Sequence, residues 1–432
     1  MKIQLSFLKG ISIICLSLFL SFLNCTTDVE FQTFEMEPPL TDVLTLELSF
    51  GDEKTITKNE FLLAKPIILT VSYKGDILIP DEGIIKVFDD TGKEKTIVGS
   101  IGEGPGGFSS GNKPYLGPAG YLMVVGGGVG STEHYSSYCR LIDYYNLFAP
   151  DYTFIEKRRF ENSLRVEEYL KTKEPDIEYV HHIPKIIALN TDEKVYEIAL
   201  TNQEPIILET KEDLLRAAAM RNQPTKPDTN YAVILYENAD TVIPLLKTKL
   251  IYPPGYTSTS YPLGELHWGL ISDRKVIYVD ANEDTYDEQA GPFYTIHLAS
   301  LDGREVKQIT HRFTPVEYPE SMRNLQKFKG GVEIMKIKES EAQAIRDKKY
   351  YPSIERMKID RYYAFMFTYI KNDDKGRLTD VFDLEAGKYI TSVYFPFIPA
   401  DIKNGYAYRL SRNDEGFRVV EKYRIDPAVY GK

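Results

Sequence analysis

Residues 99–110 read GSIGEGPGGFSS and set Gly102, Gly104 and Gly107 at the spacing G-x-G-x-x-G. Opened by a strand and closed by a helix, that spacing holds a dinucleotide, because the helix N-terminus meets the pyrophosphate. Thr96–Ile101 can form the strand. No helix of useful length can follow, since Pro105 sits inside the motif and Pro114 and Pro118 come soon after. The expectation is a tight turn in which backbones pass closely and φ can be positive, with no nucleotide cofactor.

Other side chains could carry other chemistry. The six histidines are His134, His181, His182, His267, His297 and His311, and none forms H-E-x-x-H or another one-face pair. His181 and His182 are adjacent, so a strand would point them to opposite faces. Asp280, Asn282 and Asp284 start like a calcium loop, but Thr285 replaces the sharp-turn glycine and Gly291 the bidentate glutamate. A solvated acidic loop is the simpler expectation. The cluster GGGVGS at 126–131 lacks the P-loop lysine, and no G-x-S-x-G occurs, since Val98 stands where the first glycine belongs. His267 and the single tryptophan, Trp268, lie together in ELHWGL. They are candidate ligand-facing residues, because an aromatic ring at a loop end can stack on a sugar or peptide; packing between sheets is the other reading.

The elements that must position these residues are strands. Leu44, Leu46, Leu48 and Phe50 alternate with polar residues, the period of a half-buried strand. Runs such as DILIPD, IIKVFDD, PKIIALN, YAVILYE, KVIYVDA, YYAFMFTYI and FRVVEKYRI continue almost to the end, most stopping at Gly, Asn, Asp or Pro. Only two stretches look helical, one capped by Thr210 and one by Ser340. A weak repeat runs through them: strand, strand, Asp-Gly type turn, strand. It is clearest at Asp81, Phe88-Asp89 and Gly92, and returns at Asp280 with Asp302-Gly303, and at Phe382-Asp383 with Gly387. That unit is one blade of a radial array, so the fold class is all-β, a six-bladed β-propeller with short helical insertions. Six blades over about 390 residues average about 65 each, above the 40–50 of compact propeller repeats, and the insertions absorb the surplus.

The stretch IKVFDDTGKEKTIVGSIGEGPGGF resembles an NHL-type repeat, matching at Ile85, Val87, Phe88, Asp89, Gly92, Gly102, Gly104, Pro105, Gly106 and Phe108, with Asp81 at the usual aspartate. The wider layout is similar to the six-bladed β-propeller lipoproteins of bacteria. That resemblance implies closure of the ring by strands from both termini, with Leu44–Phe50 joining the last sheet. It also implies that a propeller relative could gather histidines around a central metal.

The N-terminus fits the same group. Lys2 and Lys9 precede an apolar run from Ile11 to Leu23, about 13 residues where a spanning helix needs about 20, so a secretory signal fits better. The ending SFLNC resembles the lipobox of bacterial lipoproteins, although Asn24 replaces the usual small residue. The expected organisation is a signal peptide over 1–24, a lipidated Cys25 opening a flexible tether over 25–40, and the propeller over 41–432. Cys139 would then have no partner for a disulfide. A net charge of −11, with no basic run, gives nucleic acid no footprint and disfavours phosphate ligands on average, though a local site can defy the mean. The expected protein is an outer-membrane or other cell-envelope lipoprotein, a non-catalytic binding or scaffold module for a protein, peptide or glycan. The alternative is a metal-assisted lyase or hydrolase at the central channel. A channel of convergent His, Asp or Glu would suit the second, and a dry uncharged one the first.

Overall fold

Alternation at period two turns each strand's apolar residues to opposite sides of its sheet. In the first sheet Ile77, Ile79 and Phe88 pack one way, while Leu78, Ile85 and Val87 pack the other. A sheet that is apolar on both faces needs a neighbour on each side, and a ring of sheets supplies both.

The computed structural model describes residues 37–102, 104–108, 113–127, 143–159, 179–201, 230–250, 266–272, 274–287, 291–319 and 348–432. They form six antiparallel sheets. Blade 1 comprises Thr70–Val71, Ile77–Asp81, Ile84–Phe88 and Glu94–Val98. Blade 2 comprises Lys113–Leu116, Leu122–Gly127, Asp143–Phe148 and Phe154–Arg159. Blade 3 comprises Tyr179–Ala188, Lys194–Thr201, Asn230–Glu237 and Val242–Leu250. Blade 4 comprises Leu266–Ser272, Lys275–Asp280, Gly291–Ser300 and Glu305–Arg312, with the short Thr285–Asp287 alongside. Blade 5 comprises Arg356–Asp360, Tyr363–Asn372, Gly376–Asp383 and Lys388–Phe395. Blade 6 comprises Asp401–Lys403, Tyr406–Arg412 and Arg418–Ile425, and its outer strand is Leu44–Phe50 from the other end of the chain. That strand runs antiparallel to Arg418–Ile425, from Leu44 opposite Ile425 to Phe50 opposite Val420. All six sheets lie in one compact unit, Pro39–Lys432.

The hydrophobic core is divided to match. Six clusters of buried residues sit one at each junction of neighbouring blades, including the junction of blade 6 with blade 1. The chain is therefore a closed six-bladed β-propeller. The outer strand of blade 5 is also partly covered, because Leu40 pairs in parallel with Val393, which blunts an exposed sheet edge. Among the described residues there is no α-helix, only short 3-10 turns such as Asn59–Phe61, Ala281–Glu283 and Pro427–Tyr430. The helices expected from Thr210 and Ser340 lie outside the described residues, apart from 348–350, which are not helical.

Side chains also cross every junction. Asp76 of blade 1 accepts the Tyr152 hydroxyl of blade 2 at 2.7 Å. The Tyr115 hydroxyl of blade 2 donates to the Pro184 carbonyl of blade 3 at 2.7 Å. Trp268 Nε1 of blade 4 donates to Glu197 of blade 3 at 2.8 Å. Asp284 of blade 4 accepts the amide and hydroxyl of Ser353, which leads into blade 5, at 2.7 and 2.8 Å. Asp360 of blade 5 accepts the amides of Asn404 and Gly405 in blade 6 at 2.7 and 2.8 Å. Asp401 of blade 6 accepts the Val71 amide of blade 1 at 2.8 Å. Asp284, Asp360 and Asp401 thus each satisfy backbone amides of an adjacent blade that would otherwise be buried without a partner.

The glycine turn is built as a turn. Ser100–Ile101 pairs in parallel with Gly107–Phe108, and the Gly107 amide donates to the Gly104 carbonyl at 2.8 Å. Gly102 has φ +131°, and a Cβ on Gly107 would lie 2.5 Å from the Gly102 carbonyl oxygen. The chain then enters blade 2 as the strand Lys113–Leu116, with no helix between in the described residues. Gly104 departs from the expectation: a Cβ there meets nothing within 4 Å, and its φ is not positive. Close approach and positive φ account for Gly107 and Gly102 but not for Gly104.

Candidate functional site

The innermost strand of each blade faces the propeller axis. Together they line a cavity of about 190 Å³, to which Val71, Tyr115, Lys185, Trp268, Lys358 and Asp401 contribute one residue from each blade, with Lys403 and Tyr73 beside them. Pockets for drug-sized ligands run about 300–1,000 Å³, so this one suits a small molecule or one group of a larger one.

Its charged lining is three lysines and one carboxylate, that of Asp401, so the net charge is positive. Lys185 Nζ donates to the Trp268 carbonyl at 2.6 Å. Lys358 Nζ donates to the Ala400 carbonyl at 2.6 Å, and Lys403 Nζ to the Ile359 carbonyl at 2.7 Å. Each lysine thus reaches into the neighbouring blade. Lys185 also sits over the Trp268 ring at 4.2 Å from its centroid, and Lys403 over Tyr73 at 4.8 Å. Burial pushes the Lys185 ammonium down to about 8, against the pull of Glu197 and with the help of the Lys358 and Lys403 charges. Lys358 is held below the ordinary lysine value by the same burial, with Asp401 opposing. Desolvated like charges brought together destabilise one another.

Of the candidate ligand-facing residues, Trp268 does line this cavity, on the first strand of blade 4. It is also a packing residue, 5% exposed and bonded to Glu197 across the junction. His267, next in the strand, is half-buried and is not among the cavity's lining residues. Cys25, Cys139 and His134 lie outside the described residues, as do the side chains of His181 and His182.

The other histidines lie within the blades. His297 is held between Glu305 at Nδ1 and Glu283 at Nε2, both at 2.7 Å, and stacks on Tyr278. His311 lies 3.7 Å from Asp380, whose other oxygen accepts the Ser392 hydroxyl at 2.6 Å. A serine nucleophile needs the histidine between serine and carboxylate; here the carboxylate stands in the middle. Burial lowers the His311 imidazole and raises the Asp380 carboxyl, so each favours its neutral form.

The calcium-like stretch is occupied by its own contacts. Asp280 accepts the Asn282 amide at 2.9 Å, Glu283 holds His297, and Asp284 turns to Ser353. Among the described residues no three of His, Cys, Asp and Glu gather as metal ligands. The channel is thus neither of the two kinds weighed from the sequence: it is charged, and its charge is cationic.

Asp284 gives a measurable consequence. Burial raises its carboxyl to about 6 from 3.8. The folded chain therefore holds this proton more tightly than the unfolded chain. The resulting stability is complete below pH 3.8 and is lost as pH rises through 6. Asp284→Asn keeps an acceptor for the Ser353 amide and removes the titration. Between pH 4.5 and 7 its melting temperature should fall less than that of the wild type, by scanning fluorimetry, and identical pH slopes would contradict the assignment.

No family model and no curated protein matches this chain. In shape it is similar to a member of the DUF4221 family from Bacteroides vulgatus, 12% identical, covering 89% of this chain and 98% of that one at a TM-score of 0.44. It is similar also to an exported-protein candidate of Bacteroides fragilis, 10% identical, covering 90% and 98% at a TM-score of 0.29. A third likeness is the WD40 domain of Neurospora crassa Pan2, 6% identical, covering 90% and 98% at a TM-score of 0.35.

Proposed function

We propose that this chain is a lipid-anchored propeller of the cell envelope that binds its ligand without transforming it, using the cavity on the propeller axis. The observation that carries the reading is the convergence of all six innermost strands on one small cavity that combines ammonium groups with aromatic and apolar walls. Few, convergent polar groups in an apolar wall are what a binding site needs. Three ammonium groups at the axis oppose the entry of a divalent cation, which weakens the alternative of a metal-assisted lyase or hydrolase. A larger partner, whether protein, peptide or glycan, would present one small group to the cavity and lie across the face of the disc.

The anchor reading rests on the sequence: a short apolar run after Lys2 and Lys9, then Cys25. One acyl chain holds a protein at a membrane only marginally, whereas two or more hold it firmly. Cys25→Ala should move the full-length protein from the membrane to the soluble fraction and abolish incorporation of a palmitate analogue. Unchanged membrane association would remove the anchor.

A further inference from the structure

The three axial lysines leave a charge unbalanced. Two carboxylates stand near them, and both are engaged. Asp401 accepts the Val71 amide at 2.8 Å and its neighbour's amide, that of Ile402, at 2.9 Å. Glu197 accepts Trp268 Nε1 at 2.8 Å. Each ammonium spends one of its three N–H donors on a backbone carbonyl from an adjacent blade. The lysines come from blades 3, 5 and 6, and the radial arrangement of the innermost strands brings them to one cavity. The lysines also tie blades together through these carbonyls, but the other innermost strands present Val71, Tyr115 and Leu270 to the same cavity without a charge. Partly buried ammonium groups with spare donors cost stability unless an anion meets them.

We infer that the axial cavity binds the oxyanion of a small organic acid, with Lys185, Lys358 and Lys403 as donors and the Trp268 and Tyr73 rings as walls. Charge-assisted hydrogen bonds from several ammonium groups to one oxyanion are short and strong. The volume, about 190 Å³, admits an acid of a few carbons or the terminal acidic group of a larger ligand. The carbon side chains of Val71, Leu270 and Ile359 beside the ammonium groups suit an anion with a carbon body. The site is local, because the chain as a whole carries −11 and repels anions at long range. The inference rests on the binding reading and names the chemistry of its ligand.

Trp268 is the only tryptophan in the chain, so tryptophan emission, excited selectively over the 31 tyrosines, reports on this cavity. The test titrates full-length protein in a non-ionic detergent with succinate, inorganic phosphate or glucose at constant ionic strength. The expected result is a saturable change in emission with an oxyanion and none with glucose. The succinate and phosphate arms distinguish a carboxylate from a phosphate ligand. Lys358→Met and Lys403→Met should each weaken the response about tenfold. Lys358→Arg, which keeps the charge, should retain most of it, and melting curves identify any variant that does not fold. Saturation equal in the wild type and both folded Met variants overturns the inference. Saturation by glucose alone overturns it while leaving the binding reading in place. Flat titrations in every arm overturn both at this cavity.

Discussion

Asp81→Ala should destabilise the propeller by about 3–5 kcal/mol, the cost of leaving one member of a buried ion pair alone. Lys86, in the third position of the strand Ile84–Phe88, is 1% exposed, and its ammonium lies 2.8 Å from an Asp81 oxygen. The same carboxylate accepts the amides of Ala64 and Lys65, both at 2.8 Å. Lys86 also donates to the Leu62 carbonyl. The pair therefore fastens the segment before blade 1 onto the face that packs against blade 6, where Phe61, Leu63 and Phe88 share a cluster with Tyr408 and Val420. Removing the carboxylate leaves the buried ammonium only the more distant, exposed Glu82 carboxylate at 3.6 Å and strands two amides. Replacing both partners, as Asp81→Ala with Lys86→Met, should cost clearly less than the single change, because the buried charge goes too. Urea unfolding of the three proteins settles the point; a single substitution costing under about 1 kcal/mol would mean that the pair is solvated in solution.

Asp81 shows what the sequence carries and what it hides. Its place in the repeat was legible, as were Asp89, Gly92, Gly303 and Gly387. All of these act within a few residues: Asp89 accepts the amides of Thr91 and Lys93 at 2.9 and 3.0 Å, and Gly92 turns with φ +80°. Turn chemistry is local, so it survives as spacing. The partner of Asp81 was not legible, since Lys86 in IIKVF reads as the solvent side of an alternating strand. The axial lysines were hidden for a stronger reason. PKIIALN, RMKID and DIKNG each place one lysine on a strand, with nothing local to mark it. Their meeting depends on which strand of each blade lies innermost, a property of the closed ring. A signal did exist: the first strand of a blade faces the axis on every turn of the repeat, so a charge recurring there converges with its counterparts. Trp268 stands out in the sequence as the single tryptophan, and the structure places it both beside the axial cavity and in the packing between blades 3 and 4.

The contrast between Gly107 and Gly104 tests the turn reading against the dinucleotide one. In a dinucleotide fold the middle glycine lets the backbone approach the pyrophosphate and the last lets helix and strand pack. In this propeller the last glycine is crowded by its own turn, with the Gly102 and Gly104 carbonyl oxygens 2.5 and 2.9 Å from where a Cβ would sit. The obstacles are backbone atoms and cannot rotate away. Moving them would break the pairing of Gly107–Phe108 with Ser100–Ile101 and lift Phe108, 1% exposed, from its contact with Phe148 at the junction of blades 1 and 2. Gly107→Ala should therefore cost about 2–3 kcal/mol, at the upper end of overpacking penalties. Gly104→Ala meets open space at an ordinary φ and should stay within about 0.5 kcal/mol of the wild type. Equal losses in melting temperature for the two variants would refute the account, because a turn built on close backbone contact must tell these glycines apart.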